Sequence, residues 1–361
     1  MKNTKETQQI QINMQTKSLQ LKRALSAALF VLLLSVMGTK NALGQNLVAT
    51  LQHEGAITGI YYGQNALVSA YNAAIDGDII TLSSGVFVGT SIYKAVTIHG
   101  AGCIDDTITG VGRTQVSSFS VSKSGYSEAS NSLFEGIYFS TTINFYAYGS
   151  PITNVTFRKC NIDAITYSTN GSTYNNIQFE NCVIKSFSFQ RFLDASFVNS
   201  VVKFTNYNHG DIYKCTSFHN SVALFNDGLN INNLTAYNSI FATVSGHTMS
   251  NCTFFNCIGI ETGETLLFEG QIVQNVMEVD SYEDVFETFT GEVTYDNIYQ
   301  LKDEIATGFL GHDGTEVGIY GGLMPYRTRP SYMIIRNCNV AGRTTEDNKL
   351  GVEIELLNVG E

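Results

Sequence analysis

Tryptophan is absent from this chain, and only Pro151, Pro325 and Pro330 interrupt its 361 residues. Basic residues are scarce: 21 Lys and Arg stand against 32 Asp and Glu, for a net charge of −11. A protein that grips phosphate backbones presents a basic face. None is visible, so nucleic acid is excluded as a partner. Acidity itself speaks only of solubility. The seven cysteines are odd in number and irregularly spaced, and no CxxC pair occurs. That pattern does not suit a disulfide framework. HExxH, GxSxG and EF-hand patterns are missing. These absences remove the readily recognised metalloprotease, α/β-hydrolase and calcium-sensor chemistries.

Long apolar runs are also lacking, with one exception. Lys17, Lys22 and Arg23 precede Ala24–Met37, and Ala42-Leu43-Gly44 follows. Fourteen residues fall short of the roughly twenty needed to span a bilayer. The charged flank, apolar centre and small residues describe a secretory signal peptide over residues 1–44, cleaved before Gln45. The polar stretch ahead of Lys17 is long, so translation starts at Met1 or at Met14. The mature chain is expected to be exported to the periplasm, the cell surface or the medium, with no membrane span after cleavage.

What the chain does have is a repeat. Hydrophobic residues make up 43%, with 22 Phe and 19 Tyr among them, a mixture that favours strands. Six nine-residue segments align, at 154–162, 176–184, 194–202, 215–223, 233–241 and 251–259, with starts 18 to 22 residues apart. An upstream partner is read at 136–144 and a degenerate one at 270–279. Column two holds Val155, Ile177, Ala195, Thr216, Leu234 and Cys252. Column four holds Phe157, Phe179, Phe197, Phe218, Ala236 and Phe254. Polar residues lie between them, so columns two and four point inward and column three outward.

Column six reads Lys159, Asn181, Asn199, Asn220, Asn238 and Asn256. Asn tolerates the left-handed backbone that a recurring corner needs, and its amides are expected to bond along the column. Column seven stays small (Cys160, Cys182, Ser200, Ser221, Ser239, Cys257), and columns eight and nine turn apolar again. Sequons at Asn154, Asn233 and Asn251 share column one with Asn176 and Asp194, so a second corner explains them; a fourth sequon is at Asn170. No repeat buries its apolar face alone, but stacking does. The fold expected is all-β: a parallel β-helix with a short N-terminal capping helix and a C-terminal β-hairpin.

These repeats resemble the right-handed parallel β-helix of the pectin-lyase-like superfamily. Residues 65–102, NALVSAYNAAIDGDIITLSSGVFVGTSIYKAVTIHGAG, are similar to that family's opening, a capping helix followed by a GD-I-I-T-L strand. Residues 299–322, YQLKDEIATGFLGHDGTEVGIYGG, resemble the segment that closes many such helices. The organisation expected is a signal peptide (1–44), a capped β-helix (45–322) and a hairpin extension (323–361). Residues 278–304 are acidic and are expected to be loop-like at the top of the stack.

The resemblance implies polysaccharide lyases, glycoside hydrolases or pectin esterases among the relatives. A lyase needs a base and a cation held by carboxylates, and a hydrolase needs two carboxylates at a set separation. Carboxylates nowhere repeat in one column on neighbouring coils: Asp163, Glu180 and Asp194 fall in three. Arg158 and Glu180, in column five, are expected to form a cross-strand ion pair. Lys185 and Lys203, stacked beside Asp163, are candidates to receive an anionic sugar. His219, Tyr237 and Phe255 continue column five, and the two aromatics form a candidate platform for a sugar ring. His209 and His247 lie in weak likenesses of a GHG motif, and His99 precedes a glycine turn. Asp313 and Glu316 are too few for a calcium loop.

No metal or cofactor is expected, calcium entering only if the chain is a lyase. Three functions remain. The first is a non-catalytic surface β-helix binding glycan or a protein partner along its face. The second is a lyase or hydrolase of acidic polysaccharide, with catalytic groups on loops 163–175 or 203–214. The third is a structural shaft.

Overall fold

The computed structural model describes residues 47–327, 333–344 and 350–358, apart from short segments at 108–109, 125–126, 148–150, 169–172, 189–190, 206–210, 213–215, 226–229, 244–247 and 262–267. The proposed signal peptide, His209, His247, Asn170 and most of loop 203–214 lie outside the described residues. Strands stack in parallel into a β-solenoid of about eight turns. Phe157 pairs with Phe179, Phe179 with Phe197, and Phe197 with Phe218, each in register. Every one of these rings is 0% exposed. Consecutive rings lie parallel, with centroids 5.4, 5.1 and 4.8 Å apart. Burying one such side chain stabilises by about 1.5–3 kcal/mol, and the parallel spacing follows from the strand separation.

The ladder runs further down than the sequence suggests. Phe134, not Phe139, stands beneath Phe157, and Ile98 and Ile80 continue below it. The upstream segment at 136–144 is therefore placed five residues too late. Phe139 pairs instead with Ile162, in column nine. Gly136 takes the corner usually held by Asn, and its φ of 69° does the same work. At the other end Phe254 pairs with Val273, as expected for 270–279.

Both corners turn through the left-handed region. Lys159, Asn181, Asn199, Asn220, Asn238, Asn256 and Asn275 have φ between 46° and 54°. Asn131, Asn154, Asn176, Asn233 and Asn251 form the second such column. There the amides do bond upward, Asn176 Nδ2 donating to Asn154 Oδ1 at 2.7 Å and Asn154 Nδ2 to Asn131 Oδ1 at 2.9 Å. Column seven is small because its side chains complete the corner. Ser221 Oγ donates to the Phe197 carbonyl and accepts from the Ser200 N–H; Ser200 Oγ does the same for Phe179 and Cys182. The free thiols of Cys160 and Cys182 donate likewise to the Phe134 and Phe157 carbonyls.

The bottom is capped as expected by a helix, Ala66–Ala73, which buries Ala66, Leu67, Ala70 and Tyr71. It is joined by an unanticipated hairpin. Strand Val48–His53 pairs antiparallel with both Ala56–Tyr62 and Ile79–Leu82.

The largest correction concerns residues 281–326. They do not close the top; they lie along the side as a sash. Its two arms meet between Phe286 and Leu301. Column-eight residues Val183, Val201, Val222, Ile240 and Ile258 point outward, yet they are buried beneath Val285, Phe286, Phe289, Tyr299, Phe309, Val317 and Ile319. The column-six amides follow this sash rather than one another. Asn199 Nδ2 donates to the Ile319 and Gly321 carbonyls at 2.9 and 2.7 Å. Asn256 Nδ2 donates to Leu310 O, and Asn238 Oδ1 accepts from the His312 N–H at 3.0 Å. Strands Met333–Thr344 and Leu350–Asn358 form the expected C-terminal hairpin. Among the described residues no helix is long and apolar enough to cross a membrane.

Candidate ligand-binding face

With column eight beneath the sash, columns three and five form the strand face that the sash leaves half-exposed. Both follow from period-two alternation around the buried phenylalanines. Register pairs Ser196 with Ser217, Ser217 with Thr235, and Thr235 with Thr253. Four hydroxyl side chains thus rise one above another at the strand spacing of about 4.8 Å. Below them Thr156 Oγ1 donates to Gln178 Oε1.

Column five changes character on the way up. At its base His99 Nδ1 lies 3.3 Å from Glu135, and a hydrogen bond from that imidazole holds the Glu135 carboxyl below its ordinary value. Next, Arg158 Nε donates to Glu180 Oε2 at 2.6 Å, the cross-strand ion pair expected from the sequence. Val198 separates these charges from an aromatic stack. His219 and Tyr237 lie 5.1 Å apart at 14°, and Tyr237 and Phe255 lie 5.1 Å apart at 13°. His312, from the sash, approaches Tyr237 at 6.1 Å. Burial, aided by the neighbouring His312, depresses the His219 imidazole below its ordinary value.

This stacking alters the role open to Tyr237. Both faces of its ring are taken, one by His219 and the other by Phe255, so it offers an edge and a hydroxyl. A sugar stacks on a ring face, and that face is spent within the protein. The hydroxyl column beside it becomes the principal polar feature of the surface.

The lysine candidates occupy a different face. Lys185 lies 3.4 Å from Asp163 Oδ1 and 3.9 Å from the centre of the Tyr295 ring. Asp163 also accepts from Tyr295 Oη at 2.7 Å and from Tyr138 Oη at 3.2 Å. Burial, then the Asp163 carboxylate, pushes the Tyr295 phenol far above its usual range. This group reads as a clasp that ties the sash to the solenoid. Lys203 pairs in register with Leu224 on the same outer face, and no ion pair reaches it among the described residues. Tyr138, Tyr295 and His312 were missed in the sequence because their partners lie 25, 132 and 74 residues away.

Among the described residues no three His, Cys, Asp or Glu side chains converge as a metal site. Asp313 spends its carboxylate locally, accepting from the Thr315 N–H and hydroxyl at 3.1 and 2.8 Å. Comparison of the chain with protein-family models, with curated proteins and with solved structures finds no match.

Proposed function

We propose that this chain is an exported, pectin-lyase-like β-solenoid that binds an uncharged glycan along its open face without cleaving it. The observation that supports this reading is the in-register column Ser196, Ser217, Thr235 and Thr253. A polysaccharide lying parallel to the solenoid axis meets one hydroxyl per strand, a spacing that suits a ligand which itself repeats. Val198, His219, Tyr237 and Phe255 form an uncharged wall beside it. Residues 215–260, the coils of this face, hold no Lys or Arg, so no opposite charge is set to attract a polyanion. Neutral glycan is therefore favoured over acidic polysaccharide. The apolar run at Ala24–Met37 supports export.

The test is a panel of neutral and acidic polysaccharides offered to the mature chain, scoring retention and product together. Retention by a neutral glycan without new reducing or unsaturated ends is expected. Ser217→Arg with Thr235→Arg should abolish it, whereas Lys203→Ala, on the other face, should not. Preference for acidic chains, or release of product, would overturn the proposal.

A further inference from the structure

The top of the solenoid ends in an open edge. Strand Ile272–Val279 pairs with the coil below through Thr253–Ile260, and no strand pairs its other side among the described residues. Val273 occupies the column whose other members are fully buried, yet it is 42% exposed, and Ile272 is 65% exposed. Proteins guard such edges with lysine, proline or a cover. This strand carries neither residue, and its only charge is Glu278. In the sequence the strand sits within a stretch, 261–287, that has eight acidic residues and no Lys or Arg.

The same chain holds a strand of opposite character. Residues 327–344 contain Arg327, Arg329, Arg336 and Arg343 and no acid. Within them Met333–Thr344 pairs with Leu350–Asn358 on one side only, among the described residues. It is 12 residues long, enough to cover the eight-residue edge.

We propose that the open edge of Ile272–Val279 accepts strand Met333–Thr344 from a second copy of this chain. Main-chain hydrogen bonds supply the affinity, as in other strand additions, and the acidic rim against the arginine-bearing strand supplies the choice of partner. Among the described residues of one chain the hairpin strands pair only with each other, which leaves a donor edge and an acceptor edge without a strand partner. Two such edges meeting each other is the disfavoured alternative, because Glu278 of each strand would face like charge across the contact.

Sedimentation of the full mature chain across a concentration series tests this. Self-association is expected, weakened at least tenfold by raised salt, which screens attraction between opposite charges. Val273→Lys, at an exposed position, and Arg336→Glu with Arg343→Glu should each weaken it at least tenfold while circular dichroism stays unchanged. Hydrogen exchange should show the amides of Ile272–Val279 protected at high concentration and released on dilution. A chain that stays monomeric at several hundred micromolar overturns the proposal, as does an assembly indifferent to both variants.

Discussion

Ser200 and Ser221 are fully buried hydroxyls in an apolar interior, where an unmatched polar group costs about 1–3 kcal/mol. Each hydroxyl bonds two main-chain groups of the coil below, donating to a strand carbonyl and accepting a corner N–H. Ser221→Ala removes these bonds, together with the one its hydroxyl shares with the His219 carbonyl. It is expected to lower stability by about 1–3 kcal/mol, since it strands a buried donor and acceptor, and urea denaturation reads this directly. Cys182→Ser should be nearly neutral by the same measurement, because column seven already mixes the two side chains.

His53 and Asp78 are a second residue-scale case. The imidazole bonds the nearly buried carboxylate at 2.7 Å, and that bond raises its pKa above the ordinary 6.5. A group raised on folding stabilises fully below its unfolded pKa and ceases to do so as pH climbs through the folded one. Wild type should therefore exceed His53→Gln in melting temperature below about pH 6, with the gap closing at mildly alkaline pH. A gap that widens with pH would refute the assignment.

At the scale of elements, the sash is the feature that keeps column eight of the solenoid dry. Its register depends on close approach. Gly321 lies against the Glu316 carbonyl and the Asn220 amide, so an added methyl group finds no room, and Gly322 has a φ of 78°. Tyr295 closes the other end on Asp163. Tyr295→Phe keeps the ring over Lys185 and removes one hydrogen bond to a part-exposed carboxylate, a loss of about 1 kcal/mol. Gly321→Ala should act more strongly, by forcing the backbone away from Asn199 and Asn220. Limited proteolysis within 281–326 should accelerate modestly in the first variant and markedly in the second. Equal rates in wild type and Gly321→Ala would show that the sash does not depend on this contact.

The whole molecule combines a repeating part with a part that does not repeat. Coils interact with nearest neighbours, so a solenoid tolerates removal of one complete unit. Residues 176–193 are one such unit, because Asn176 and Asp194 share column one. Deleting them should preserve the strand spectrum by circular dichroism. The sash, however, is tied at Asp163, Asn199, Asn238 and Asn256, and shortening the distance between the first two would mismatch it. Binding of a hydrophobic dye to the uncovered column eight is the expected sign. A deletion variant that melts in a single unaltered transition without dye binding would argue against this division.

What the sequence by itself determined was everything that depends on neighbours one coil apart. Asn at 181, 199, 220, 238 and 256 marked the corners, and Phe at 157, 179, 197 and 218 marked the core, because a stacked repeat forces like residues into like environments. Only the tertiary structure decided the fate of what breaks the repeat. The coil around Phe134 has Gly136 in place of Asn, so its alignment slipped. Column eight reads only as apolar in the sequence, and what buries it becomes visible with the sash. That Lys185 and Asp163 would meet a tyrosine from 132 residues further along the chain was not legible in the repeat. Periodicity reports burial and spacing along the chain. It does not say which distant segment does the burying, since that choice is made by shape and by unpaired polar groups that exist only once the coils are stacked.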